Sequence, residues 1–186
     1  MLMKPFACFV ILINGISAEP KNKARDMRPM DKQTFTELVK QNERKLYRVA
    51  MSYTGSLPDA ADAIQEALLR AWSCRHTLRD EQLFSTWLMR ILINECKTLL
   101  RKRRRTLPFA RLPETKWQLP PDADREWADA LLALPEKYRI LLVLHAMEGY
   151  TQAEVAQILH LPLNTVKTRI SRARKQLRKE ALEDAE

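Results

Sequence analysis

One stretch constrains the fold of this chain more than any other: EGYTQAEVAQILHLPLNTVKTRISRARKQLRK, from Glu148 to Lys179. Gly149 predicts the end of the helix before it. Thr151-x-x-Glu154 has the form of a capping box, the Thr hydroxyl accepting from the Glu154 amide while the Glu carboxylate reaches back. Tyr150 and Val155 stand where a hydrophobic staple places them, just before the cap and one turn in. A short helix should therefore run from about Thr151 to Leu159. Pro162 ends it, because proline lacks the amide donor and biases Leu161 away from the helical region. A second helix then runs from about Leu163 to Leu182, with Val166, Ile170, Ala173 and Leu177 on one narrow face. Lys167, Arg169, Arg172, Arg174, Lys175, Arg178 and Lys179 occupy the remaining circumference. Two helices, a tight turn and a second helix basic on its outer face predict a helix-turn-helix whose recognition helix meets a nucleic-acid duplex.

Composition agrees. The 186 residues carry 32 Lys+Arg against 23 Asp+Glu, a net charge of +9, which is the footprint of a polyanionic partner. Glycine occurs only three times, which favours an all-α protein over a sheet with many turns. The length suits one domain or two small ones. Cys8, Cys74 and Cys96 form no CxxC pair and no zinc-ligand spacing with His76, His145 or His160, so reduced thiols in a cytosolic protein are expected. Cys74 and His76 are close in sequence, but no further ligand lies nearby. No cofactor and no metal are expected.

The remaining chain divides into helical runs around a proline-rich middle. Residues 1–30 contain an apolar run, Pro5 to Ala18, behind Lys4, with the look of a short signal-peptide core. It is too short to span a bilayer comfortably. The expectation is that this extension lies outside the folded unit; a membrane-surface anchor is the alternative. A first helix is expected from Lys32 to Tyr53, ended by Gly55, and a second from Asp59, as N-cap, to about Ser73. CRHTLRDEQ is turn-like. A third helix should run from about Gln82 to Arg104, ending in the cations Arg101 to Arg105 at the negative end of its dipole. TLPFARLPETKWQLPPDAD then loses all periodicity and holds four prolines, an extended linker. Short helices follow from REWADALLAL and from Pro135 through Met147. The resulting organisation is an extension (1–30), a helical domain (31–105), a linker (106–124) and a second helical domain (125–186) carrying the helix-turn-helix.

These strings resemble a known family, the extracytoplasmic-function sigma factors of bacterial RNA polymerase, small sigma-70 members that keep only regions two and four. DAADAIQEALLRAW (Asp59–Trp72) is similar to the family's core-binding helix. FSTWLMRILINECKTLLRKRRR (Phe84–Arg105) is similar to its promoter-melting and −10 segment. ALPEKYRILLVLHAMEGYTQAEVAQILHLPLNTVKTRISRARKQLR (Ala133–Arg178) is similar to region four. His160 and Asn164 depart from the family pattern, which has Gly at both; His and Asn tolerate positive φ at some strain.

The resemblance implies roles. Asp59, Asp62, Gln65 and Glu66 would bind core RNA polymerase. Arg75, His76, Phe84, Trp87, Asn94, Arg101, Arg103 and Arg104 would meet the −10 DNA, where a base leaves the stack, with Phe84 and Trp87 also reading as core residues. Asn164, Thr165, Lys167, Thr168, Arg169, Arg172, Arg174 and Lys175 would meet the −35 DNA, the first turns reading base edges and the later cations holding phosphates. Core RNA polymerase, promoter DNA and an anti-sigma factor are the implied partners, with a cytoplasmic location, held at the membrane where the anti-sigma factor sits there. Three other readings compete. A helix-turn-helix regulator acting outside the polymerase explains the C-terminal unit but leaves residues 59–105 without a role. A metal-dependent nuclease would need a second acidic or His cluster beside Asp59, Asp62 and Glu66. A membrane-anchored adaptor rests only on Phe6 to Ile16.

Overall fold

A computed structural model of the chain describes residues 30–106, 131 and 133–183. The expectations for the extension, the linker and the start of the second domain lie outside these residues, as do the side chains of Arg104 and Lys179. The described secondary structure is helical throughout.

The N-terminal unit is a three-helix bundle. Helix α1 spans Lys32–Thr54. The Asp31 carboxylate accepts from the Thr34 amide at its start, and Gly55, at φ 62°, returns its amide to Met51 O at its end. This is the left-handed residue that commonly closes a helix. Helix α2 spans Leu57–Cys74, and α3 spans Phe84–Thr106. Between them lie 3-10 turns over Arg75–Thr77 and Glu81–Leu83. Phe35, Leu46, Leu68, Phe84, Leu88 and Leu92 are fully buried where the three helices meet. The Phe35 ring packs edge-on against Trp72 and Phe84, at 5.2 and 5.6 Å between centroids.

One expectation fails here. Asp59 is not the cap of α2; Ser56 precedes the helix, and Pro58 sits inside the first turn. A proline costs nothing there, since first-turn amides have no helical acceptor. Asp59 is instead buried in that first turn.

The C-terminal unit contains α4 (Glu136–Leu142), which continues into a π-helical turn over Val143–Met147. Helices α5 (Gln152–Leu159) and α6 (Leu163–Glu183) follow. Leu141, Leu144, Val155, Ile158, Val166, Ile170 and Ala173 form its interior. The two units are packed against each other: α1 lies on α4 and the π-helical turn, and α3 lies on α5. A single hydrophobic cluster runs through both.

Candidate nucleic-acid interface

The helix-turn-helix has the local chemistry its sequence demands. Thr151 Oγ accepts from the Glu154 amide at 3.2 Å, and a Glu154 carboxylate oxygen accepts from the Thr151 amide at 2.8 Å. Val155 and Tyr150, the two staple positions, are both buried. His160 ends α5 at φ 54° in the left-handed region, the only non-glycine at positive φ among the described residues. Its amide returns to Ala156 O. Asn164 needs no such conformation: it lies in the first turn of α6, so only one of the two departures from glycine carries strain.

The stripe of α6 docks as spaced, with Val166, Ile170 and Ala173 at 2% exposure or less and Leu177 half-buried. Val166 and Ile170 each contribute roughly 1.5–3 kcal/mol by full burial, enough to fix the rotation of the helix. That rotation leaves Asn164, Lys167, Thr168, Arg172, Arg174 and Lys175 exposed, with Thr165 and Arg169 at the flanks. Thr168 spends its hydroxyl proton on Asn164 O, so it retains acceptor capacity only.

The N-terminal unit sorts its candidates into two groups. Asp62, Gln65 and Glu66 are exposed on α2. Asp59 is not: its carboxylate is 5% exposed and pairs with Arg103 on α3, Nη1 to Oδ2 at 2.5 Å. Burial pushes the Asp59 carboxyl above its ordinary value, Arg103 pulls it back down, and Asp62 adds to the rise. Asp59 therefore belongs to the bundle and not to the outward acidic face. Arg103 is likewise drawn in toward Asp59, whereas Arg101 and Arg105 are exposed.

Two expected −10 contacts are also internal. Arg75 is buried, donating to Met30 O at 3.2 Å and Trp72 O at 2.9 Å, with its guanidinium 3.9 Å from the Trp72 ring centre. Phe84 is 1% exposed. A guanidinium can saturate backbone carbonyls and cover an indole at once, and that geometry leaves Arg75 no face for DNA. His76 and Asn94 are exposed, and Trp87 is half-buried against Phe84. Sequence reasoning missed Leu83, which is 55% exposed on the 3-10 turn leading into α3. An isolated apolar residue closing the polar run RDEQ was its only signal. Among the described residues, no three His, Cys, Asp or Glu side chains assemble as a metal site.

Comparison with known proteins follows the same division. Residues 38–106 match the model of sigma-70 region 2, and residues 124–177 match that of sigma-70 region 4. The ECF RNA polymerase sigma factor SigW of Bacillus subtilis is 30% identical over 86% of this chain and 95% of that protein. SigM of Mycobacterium tuberculosis is 36% identical over 79% of this chain and 76% of that protein. Among solved structures, the sigma factor RpoE of Bartonella quintana, in complex with the anti-sigma factor NepR, superposes with a TM-score of 0.72. It is 25% identical, with 79% of this chain and 96% of that chain covered. CnrH in complex with the cytosolic domain of CnrY gives 0.61 at 30% identity, covering 84% and 91%.

Proposed function

Because the chain belongs to the sigma-70 family, as an extracytoplasmic-function RNA polymerase sigma factor, we propose a division of its surface among polymerase, −10 DNA and −35 DNA. The protein binds core RNA polymerase and directs promoter-specific initiation. Residues 31–105 act as region two and residues 125–186 as region four. Asp62, Gln65 and Glu66 form the core-binding patch. Asp59 supports it from inside the bundle. His76, Leu83, Trp87, Asn94 and Arg101 face the −10 element, with Leu83 and Trp87 offering apolar surface to an unstacked base. On α6, Thr165, Lys167, Thr168 and Arg169 lie toward the base-reading end, and Arg172, Arg174, Lys175 and Arg178 hold phosphates. The carrying observation is a recognition helix locked by an apolar stripe with every exposed cation turned outward.

Sigma factors are initiation factors, and no catalytic chemistry is assigned to this chain. Its relatives were solved with anti-sigma partners, which supports an anti-sigma factor for this protein as well. Among the described residues no helix is long and apolar enough to cross a membrane; we place the protein in the cytoplasm. The regulator reading is not favoured, since it gives residues 38–106 nothing to do. In vitro transcription with purified core polymerase on genomic fragments tests the proposal: discrete start sites that depend on this protein are expected. Sequence-specific DNA binding without any core-dependent initiation would sink it in favour of a regulator.

A further inference from the structure

Among the described residues Arg75 is the one buried arginine or lysine, and the roles assigned above give it nothing to do. Its partners there are two backbone carbonyls and an indole face. Nε donates to Met30 O at 3.2 Å, and Nη1 donates to Trp72 O at 2.9 Å. The guanidinium carbon stands 3.9 Å from the centre of the Trp72 ring. The two carbonyls belong to parts of the chain that lie far apart in sequence. Trp72 O is in the last turn of α2, where carbonyls lack helical donors and a cation meets the negative pole. Met30 immediately precedes Asp31, the N-cap of α1. One planar fork therefore ties the end of α2 to the start of α1, at the point where the loop of residues 75–83 begins.

That loop is short of other anchors. Between Arg75 and Phe84 only Leu78 is even half-buried, and the remaining side chains are exposed. Its internal bonds are local. Thr77 Oγ1 donates to Cys74 O, the Leu78 amide to Arg75 O, and the Gln82 amide to the Asp80 carboxylate. Such bonds shape each 3-10 turn but do not place the loop on the bundle. Placement comes from its two ends. Phe84 closes the far end, 1% exposed and edge-on to the Phe35 ring. Arg75 closes the near end, and the Trp72 ring beneath it is edge-on to the same Phe35. Both ends are thus referred to one aromatic cluster in the core. The two exposed loop side chains that the proposed function turns toward the −10 element, His76 and Leu83, sit immediately inside these two anchors. A loop held at both ends by a rigid scaffold is preorganised, so less binding free energy is lost to ordering it when a base leaves the stack.

We infer that Arg75 is a positioning residue for −10 recognition: without touching DNA, it clamps the loop so that His76 and Leu83 meet the unstacked base at fixed places. This rests on the −10 assignment of those two side chains, and the experiment keeps the two claims apart. Lysine at position 75 keeps the charge but lacks the fork that spans both carbonyls; leucine removes charge and fork together. Holoenzymes assembled from the full chain, as wild type, Arg75→Lys and Arg75→Leu, are compared on a mapped promoter in two forms, duplex and premelted across the −10 element. On duplex, Arg75→Leu should slow open-complex formation by about 10–100-fold, the range that misplacing a positioning group by about 1 Å brings, and Arg75→Lys should slow it less. On the premelted template the rate should largely recover, while discrimination among single-base −10 variants stays reduced. Discrimination among −35 variants should match the wild type throughout. A loss of bundle stability alone lowers the amount of active holoenzyme and scales all promoters equally, so the ratio between base variants is the readout that a merely structural role leaves unmoved. If Arg75→Leu does not fold, Arg75→Lys carries the comparison, with helicity as the control. His76→Ala and Leu83→Ala are measured beside them. If these two alter −10 discrimination and every folded Arg75 variant leaves it intact, or relaxes −35 discrimination equally, the positioning role is overturned and the −10 assignment stands. If His76→Ala and Leu83→Ala both leave −10 discrimination intact, the −10 assignment fails and takes the inference with it.

Discussion

Replacing Arg103 by alanine should destabilise the N-terminal bundle without weakening its electrostatic hold on DNA. Removing one partner of a fully buried ion pair costs about 3–5 kcal/mol, because the other charge is stranded. Here Asp59 is 5% exposed but the Arg103 side chain is 36% exposed, so water already screens part of the attraction. The expected cost is cut to about 1.5–3 kcal/mol at pH 7. The pH dependence has a definite sign. Asp59 in the wild type titrates above its ordinary 3.8, chiefly because burial opposes its charge, and Arg103 moderates that rise. Without Arg103 the carboxyl moves further up. A raised folded-state value means a contribution that is favourable below the unfolded value and lost as pH rises through the folded one. The deficit of the variant should therefore shrink as pH falls from 7 toward 4, as Asp59 takes up a proton. Asp59→Asn in the Arg103→Ala background should recover much of the loss at pH 7, because no stranded charge remains. Urea unfolding of the four members of this cycle, at pH 7 and near 4.5, measures all of this. Salt titrations of promoter binding separate the brace from a phosphate contact. Arg103→Ala should leave the slope of log K against log salt unchanged, while Arg101→Ala should reduce it by about 0.7–0.9. A variant cost under about 0.5 kcal/mol that ignores pH, or a slope reduced by Arg103→Ala, would refute the reasoning.

Gln65→Ala with Glu66→Lys should weaken association with core polymerase in a fluorescence titration while leaving helicity intact, since both side chains are exposed; unchanged affinity removes them from the interface. Thr151→Ala deletes the hydroxyl half of the capping box and should lower stability by about 0.5–2 kcal/mol, seen as a shift of the denaturation midpoint at constant m-value. Lys167→Ala or Arg169→Ala should relax preference at one or two −35 base pairs, costing about 1–3 kcal/mol for a lost bidentate contact. Arg178→Ala should weaken all sequences equally and flatten the salt slope. Transcription across single-base −35 variants at several salt concentrations distinguishes the two, and the opposite pattern means that α6 docks in another orientation.

Much of this protein is local, and local structure is written in sequence. The Thr151–Glu154 box, the Gly55 and Gly149 stops, and the 166–170–173–177 stripe depend on groups within one or two turns of each other. Spacing along the chain therefore suffices to predict them, and the outward turn of Lys167, Arg172 and Lys175 follows from the stripe. What spacing cannot give is which polar groups meet across the bundle. Asp59 reads as a cap or a partner-binding carboxylate until Arg103, forty-four residues away, is folded against it. Arg75 reads as a DNA contact until Met30 O and the Trp72 ring surround it. Tyr150 reads only as half of a hydrophobic staple, and Glu148 as an ordinary residue before Gly149, although tertiary packing brings both into the contact between the units. The physical reason is the same in each case. A hydrophobic stripe reports that a face is buried, through a periodicity the sequence displays. A polar side chain has two stable fates, hydration or a matched buried partner, and only the fold brings the partner within hydrogen-bonding reach.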